Sequence, residues 1–200
     1  MADRQREMVA LMRDVLGDDY VSLEVRSHTH EEDLAEGTST VRATLVDRRA
    51  GVDREIQGSG TGLVDAFFNA LLANLVGQYQ SLRHIRFQSF SVGAQAATGR
   101  RDSLTDAVGT VRLEVDNQVG STFVFTDSSR SVTASSIRVT VAAVEYFVNS
   151  ELAFFRVREF LDNAHAEGRS DTAERYTHML TRLVRNASYA VPKDGDGDGT

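Results

Sequence analysis

Residues 56–76 read IQGSGTGLVDAFFNALLANLV, and the pattern changes halfway through. Val52, Arg54 and Ile56 lead in with the two-residue period of a half-buried strand. Three alternate glycines follow, Gly58, Gly60 and Gly62, and then Val64, Phe67, Phe68, Leu71, Leu72 and Leu75 form the stripe of an amphipathic helix. A strand therefore turns sharply into a helix at a bare-backbone corner. Upstream, Val21, Leu23 and Val25 alternate with polar residues, as do Val41, Ala43 and Leu45, and the turn-rich cluster 47–51 returns the chain to Val52. The polar stretch 27–37 reads as a loop between the first two strands. The unit is βββα.

The same order recurs. Val64, Asp65, Ala66 is echoed by Val132, Thr133, Ala134, and that offset of 68 places Ala43 on Val111, Leu45 on Leu113 and Ile56 on Val124. A strand at 85–92, a hairpin from 108–115 and 121–126, and a long helix from Val132 towards Ala166 make the second unit. Gly168 should stop that helix, and Asp171 with Glu174 resembles a capping box for a last helix bearing Tyr176, Leu180, Leu183 and Val184. In front, Met8, Leu11, Met12, Val15 and Leu16 predict a short helix ended by Gly17. The expected architecture is α+β, with duplicated βββα units related by a pseudo-twofold axis, a short N-terminal helix and extra C-terminal helices. The divisions read 1–17 for the first helix, 18–150 for the duplicated domain, 151–190 for the helical extension and 191–200 for a disordered tail. The extension suits dimerisation, an antiparallel pair within the subunit, or docking onto another protein.

Composition narrows the function. The 200 residues carry 22 Lys+Arg against 29 Asp+Glu, a formal charge of −7, which gives a phosphate-neutralising surface little to build on. Nucleic acid is not the expected partner. With no cysteine there is no disulfide, thiolate metal site or Cys nucleophile. The charged start of the chain lacks a signal-peptide core, and no apolar run has membrane-spanning length, so a soluble, cytoplasmic protein is expected.

Few residues suggest chemistry. His28 and His30, beside Glu31, Glu32 and Asp33, could share a metal, but no third ligand accompanies them and a solvated loop is the plainer reading. Asp194, Asp196 and Asp198 copy the start of a calcium loop without its bidentate Glu, and read as a flexible acidic tail. His84, His165 and His178 stand apart, with no nucleophile–base arrangement. No catalytic residue, metal or cofactor is expected. The glycine corner is more informative: backbone N–H groups can approach a ligand there, and the helix start behind them favours a carboxylate. A tight strand-to-helix turn alone would use the same glycines.

At this corner Gly60, Thr61, Gly62, Leu63, Val64, Asp65, Ala66, followed by Asn69, Ala70, Leu71, resembles the Gly-Asp-Gly-Pro-Val-Asp-Ala…Asn-Ala-Leu signature. The signature marks the C-terminal allosteric, dimerisation domain of 2-isopropylmalate synthases and citramalate synthases. Thr105, Asp106, Ala107, Val108, Gly109, Thr110, Val111 is similar to the family's Thr-Asp-Ala-x-Gly-x-Val, and Ala134, Ser135 to the opening of its second helix. The resemblance spans residues 20–149, with Leu63 in place of the Pro and Arg130 where the family has Asp. It implies the duplicated βββα fold, a homodimer, and a pocket near the dimer interface for leucine or isoleucine. Carried over, the pocket-lining positions are Gly60, Gly62, Ala66 and Ala107, while Asp65 suits a helix-start role. The chain has no room for the catalytic barrel, so the resemblance implies a stand-alone, non-enzymatic regulatory module acting on a separate synthase subunit. The alternative is a dimeric interaction protein that binds no amino acid and docks a partner through its C-terminal helices.

Overall fold

The computed structural model describes residues 2–94, 108–118 and 120–184. In chain order the elements are α1 (Ala2–Leu16), β1 (Leu23–Asp33), β2 (Thr38–Asp47), β3 (Val52–Gly60) and α2 (Leu63–Leu75), then β4 (Arg86–Ala94), β5 (Gly109–Asp116), β6 (Thr122–Ser129), α3 (Val132–Ala166) and α4 (Ser170–Val184). The fold is α+β. Two antiparallel three-stranded sheets, β1-β2-β3 and β4-β5-β6, each carry one helix on their apolar face. Ala107 and the tail 191–200 lie outside the described residues.

The duplication is visible in the strand registers. The first strand of each sheet is bulged at the same place, between Val25 and Ser27 in β1 and between Phe87 and Ser89 in β4. Each bulge inserts one residue and twists the strand. Val25 pairs with Leu45 and Phe87 with Val115, so Leu45 corresponds to Val115 and not to Leu113. By the same register Ile56 corresponds to Phe125, because Ile56 faces Ala43 and Phe125 faces Leu113. A constant offset of 68 would have turned Val124, which pairs with Glu114 on the outer face, into the core. The units therefore drift in spacing.

One expectation is corrected. Residues 27–33, read as loop, continue β1: Ser27 to Asp33 pair in register with Thr44 to Thr38. The reason is coverage. α2 lies over β2 and β3, leaving this end of β1 exposed on both faces, so no apolar period marks it as strand. Gly37, Gly51 and Gly120 take the left-handed conformation in the turns that join β1 to β2, β2 to β3 and β5 to β6.

Helix α3 holds the two units together. Its first turns cover β5 and β6; over its 35 residues it then runs on the order of 50 Å, past the sheet. Fully buried Asn149 accepts from the N–H of Val21 at 2.8 Å and donates to the Val21 carbonyl at 2.9 Å. Glu145, one turn earlier, accepts from the Leu23 N–H. Arg156 pairs with Asp19 at 2.6 Å. On another side of the helix the buried carboxylate of Glu151 accepts from the N–H groups of Gln80 and Ser81. The segment entering the first sheet and the segment leaving α2 are thus both tied to α3 by backbone hydrogen bonds that a buried chain must satisfy.

Gly168, at φ +67°, ends α3, and α4 folds back along it, with Phe160 and Tyr176 ring centroids 5.5 Å apart and Leu183 fully buried. Arg182 of α4 reaches Glu7 of α1 at 3.7 Å, and Met8 and Met12 of α1 are buried. α3 and α4 thus form the antiparallel pair within the subunit, one of the three arrangements expected for the extension. Among the described residues no helix is long and apolar enough to cross a membrane.

Replacing Asn149 by Leu leaves the Val21 N–H and C=O buried without partners. Urea denaturation should record a loss of roughly 2–4 kcal/mol; a change below about 0.5 kcal/mol would contradict the tie.

Candidate functional site

The three corner glycines have different surroundings. A Cβ on Gly58 would lie 2.5 Å from the Ala66 carbonyl oxygen, and one on Gly60 would lie 2.6 Å from the Ala66 nitrogen and closer still to the Asp65 carboxylate. These two residues are bare because α2 rests directly on β3. Ala66 is fully buried on the same contact. Gly62 differs: nothing lies within 4 Å of where its Cβ would be, and its φ of −171° is ordinary extended backbone.

Gly62 is the N-cap of α2, and it has no side chain with which to cap. Asp65, in the first turn, reaches back to accept from the N–H of Thr61, the residue before the cap, at 2.9 Å. No side chain among the described residues accepts from the N–H groups of Leu63 and Val64, so the positive end of α2 stays open. The corresponding start of α3 is closed. There Ser131 accepts from the Ala134 N–H at 3.1 Å. Behind it, Asp127 accepts from Ser135 at 2.6 Å and pairs with Arg138 at 2.6 Å; the Arg138 hydrogen bond is the chief cause holding the Asp127 carboxyl below the usual range.

The open end of α2 faces a cleft of about 440 Å³ between the units. Leu63 and Val64 come from α2, Phe87 and Phe90 from β4, and Val132 from the start of α3. This volume falls in the range of ~300–1,000 Å³ usual for small-molecule sites. Phe68 and Phe87, with centroids 4.2 Å apart, join α2 to β4 beside it. The walls are largely apolar; Thr61, Gly62 and Asp65 bring polar groups from the α2 side, and Thr133 and Ser136 from the start of α3.

Of the four positions expected to line a pocket, Gly62 lines this cleft. Gly60 and Ala66 set the corner behind it, and Ala107 lies outside the described residues. Sequence reasoning did not single out Phe87, Phe90 and Val132. The duplication was the available signal, since Gly62 and Ser131 hold the same place before their helices. His28 and His30 project from exposed β1, and no group of three or more His, Asp or Glu among the described residues is placed to hold a metal.

Beside the cleft runs an exposed apolar strip. α3 covers β5 and β6 but not β4, so Phe90 and Val92 are 44% and 49% exposed on the face where Val111 and Leu113 are buried. Val132, 42% exposed, lies beside Phe90 on the wall of the cleft. The equivalent uncovered strand of the first unit, β1, presents His28, His30 and Glu32 instead.

Two βββα units thus meet at an apolar cleft beside the start of α2. The family model of the LeuA allosteric (dimerisation) domain matches residues 4–148, and the chain belongs to that family. The matched span takes in α1 and stops within α3, so the rest of α3 and all of α4 lie beyond it. No curated protein matches the chain.

The packing separates two glycines that look alike in sequence. Gly60→Ala should cost ~1–3 kcal/mol by overpacking, whereas Gly62→Ala should cost less than about 1 kcal/mol. Thermal unfolding of the two variants checks this; equal losses would contradict the geometry.

Proposed function

We propose that the chain is a regulatory module that binds a branched-chain amino acid, leucine or isoleucine, in the cleft before α2. The observation that supports this most is the uncapped start of α2, opening into an apolar cleft of about 440 Å³. The ligand's carboxylate takes the N–H groups of Leu63 and Val64, where the helix dipole favours it, and its ammonium has the Asp65 carboxylate at the rim. Its aliphatic side chain lies against Phe87, Phe90 and Val132. Gly62 is the direct contact, and Gly60 and Ala66 shape the corner. The module performs no chemistry itself and acts on a synthase subunit.

The second element is a homodimer. Val92 and Phe90 form a strip that water leaves costly to expose, and a second copy seated on β4 would bury it and close the cleft. The strip adjoins the cleft, so ligand and subunit contact would be linked: binding one favours the other.

Calorimetry with leucine, isoleucine and valine tests the ligand. One of them should release or absorb heat at micromolar to millimolar concentration, and Gly62→Val should weaken it tenfold or more with little change in melting temperature. Silence from all three, or unchanged affinity in the variant, would contradict the pocket. For the dimer, Val92→Glu should convert a dimer to monomer in sedimentation; a mass insensitive to the substitution would contradict this seat.

A further inference from the structure

A larger cavity lies elsewhere, on the opposite flank of α3. The groove between α1, β6 and α3 measures about 640 Å³, within the ~300–1,000 Å³ range of small-molecule sites. Val9 from α1, Phe125 from β6, and Val139 and Ala142 from α3 give it an apolar lining. Several of its polar groups are already committed. Gln5 accepts from the Val124 N–H at 3.3 Å, and Arg138 is spent on Asp127.

Two charged groups are not. Arg13 stacks its guanidinium over the Tyr20 ring at 4.2 Å, and none of its N–H groups is hydrogen-bonded among the described residues. Glu145 spends one carboxylate oxygen on the Leu23 N–H and keeps the other. Burial raises its carboxyl above the usual range, against the opposing effects of that hydrogen bond and of Arg13. Arg13 therefore stands near enough to act on Glu145, yet they form no ion pair within 4 Å among the described residues. Tyr146, 2% exposed, also lines the groove, and its hydroxyl has no hydrogen-bond partner. A cation and a carboxylate held apart beside an apolar floor complement a molecule that carries both charges next to an apolar body.

We propose that this groove is a second ligand site, taking a zwitterionic α-amino acid with an apolar side chain, its carboxylate on Arg13 and its ammonium on Glu145. The assignment does not depend on the cleft before α2, because no lining residue is shared. The site lies under α1, whose Glu7 meets Arg182 of α4, so occupancy would bear on how the helices outside the sheets pack.

Amide and arginine side-chain NMR of the full chain separates the two sites. Titration with leucine and with phenylalanine to about 10 mM should move the Leu23 amide and the Arg13 Nε–H, independently of Gly62 and Leu63. Isovalerate and isopentylamine, each carrying one of the two charges, should bind tenfold or more weakly. Arg13→Gln removes the exposed cation, and Glu145→Gln keeps an oxygen for the Leu23 N–H, so both variants should fold. Each should lose tenfold or more in affinity at Leu23 while the Gly62 response persists. Absence of any shift at Leu23 and Arg13, single-charge analogues binding as well as the amino acids, or unchanged affinity in Arg13→Gln would each overturn the proposal. A lost response at Gly62 alone would instead count against the cleft.

Discussion

The architecture depends on three polar side chains in the buried length of α3. Asn149, Glu145 and Glu151 satisfy backbone groups of two connecting segments that would otherwise be stranded away from water. An unpaired buried N–H or C=O costs about 1–3 kcal/mol, comparable with a large share of a domain's net stability. The packing of Phe147, Val148 and Val157 supplies the apolar driving force around them. Apolar contact is non-directional and would tolerate many placements of those segments. The paired hydrogen bonds to Val21 and the bonds to Gln80 and Ser81 set the register in which the first unit meets the second.

Once that register is set, the functional differences follow from how two copies of one plan have diverged. Both units bulge their first strand and turn from their third strand into a helix. In the second unit Ser131 caps the helix, and Asp127, Ser135 and Arg138 consume one another behind it. In the first unit Gly62 leaves the helix start unspent. The uncovered first strand diverges as well, apolar at Phe90 and Val92 and polar at His28, His30 and Glu32. The open helix end and the apolar strip meet at Phe90, which lines the cleft and belongs to the strip. Under the proposed function, a molecule with an anionic end and a branched apolar end and a second subunit are recognised at these adjoining surfaces. That is an arrangement through which a ligand can influence assembly.

Much of this was legible in the residues. Strands β2, β3, β5 and β6 are covered by helices on one face only, and the resulting alternation of apolar and polar side chains reveals them directly. The ends of α1 and α3 were marked by Gly17 and Gly168, each in the left-handed conformation that glycine allows. The latter half of β1 was not legible, because a strand wet on both faces carries no period to read. The offset between the units was misplaced by one or two residues, since low identity cannot locate a spacing change that strand pairing reveals. At the corner, spacing alone could not divide the glycines. Gly58 and Gly60 are needed for helix-to-strand contact and Gly62 is not, a difference made by Ala66 and Asp65 on the facing turn. The groove under α1 was hidden for another reason. Arg13 and Glu145 are far apart in the chain, and neither sits in a motif.

The central claim is that the open start of α2 receives the carboxylate of a small aliphatic amino acid. A crystal structure of the chain grown with leucine and, in parallel, isoleucine tests it most directly. The account requires one ligand's carboxylate oxygens within hydrogen-bonding reach of the Leu63 and Val64 nitrogens, with its branched carbons against Phe87 and Phe90. A ligand seated there in the reverse sense, or density for neither amino acid beside α2 at saturating concentration, would contradict it.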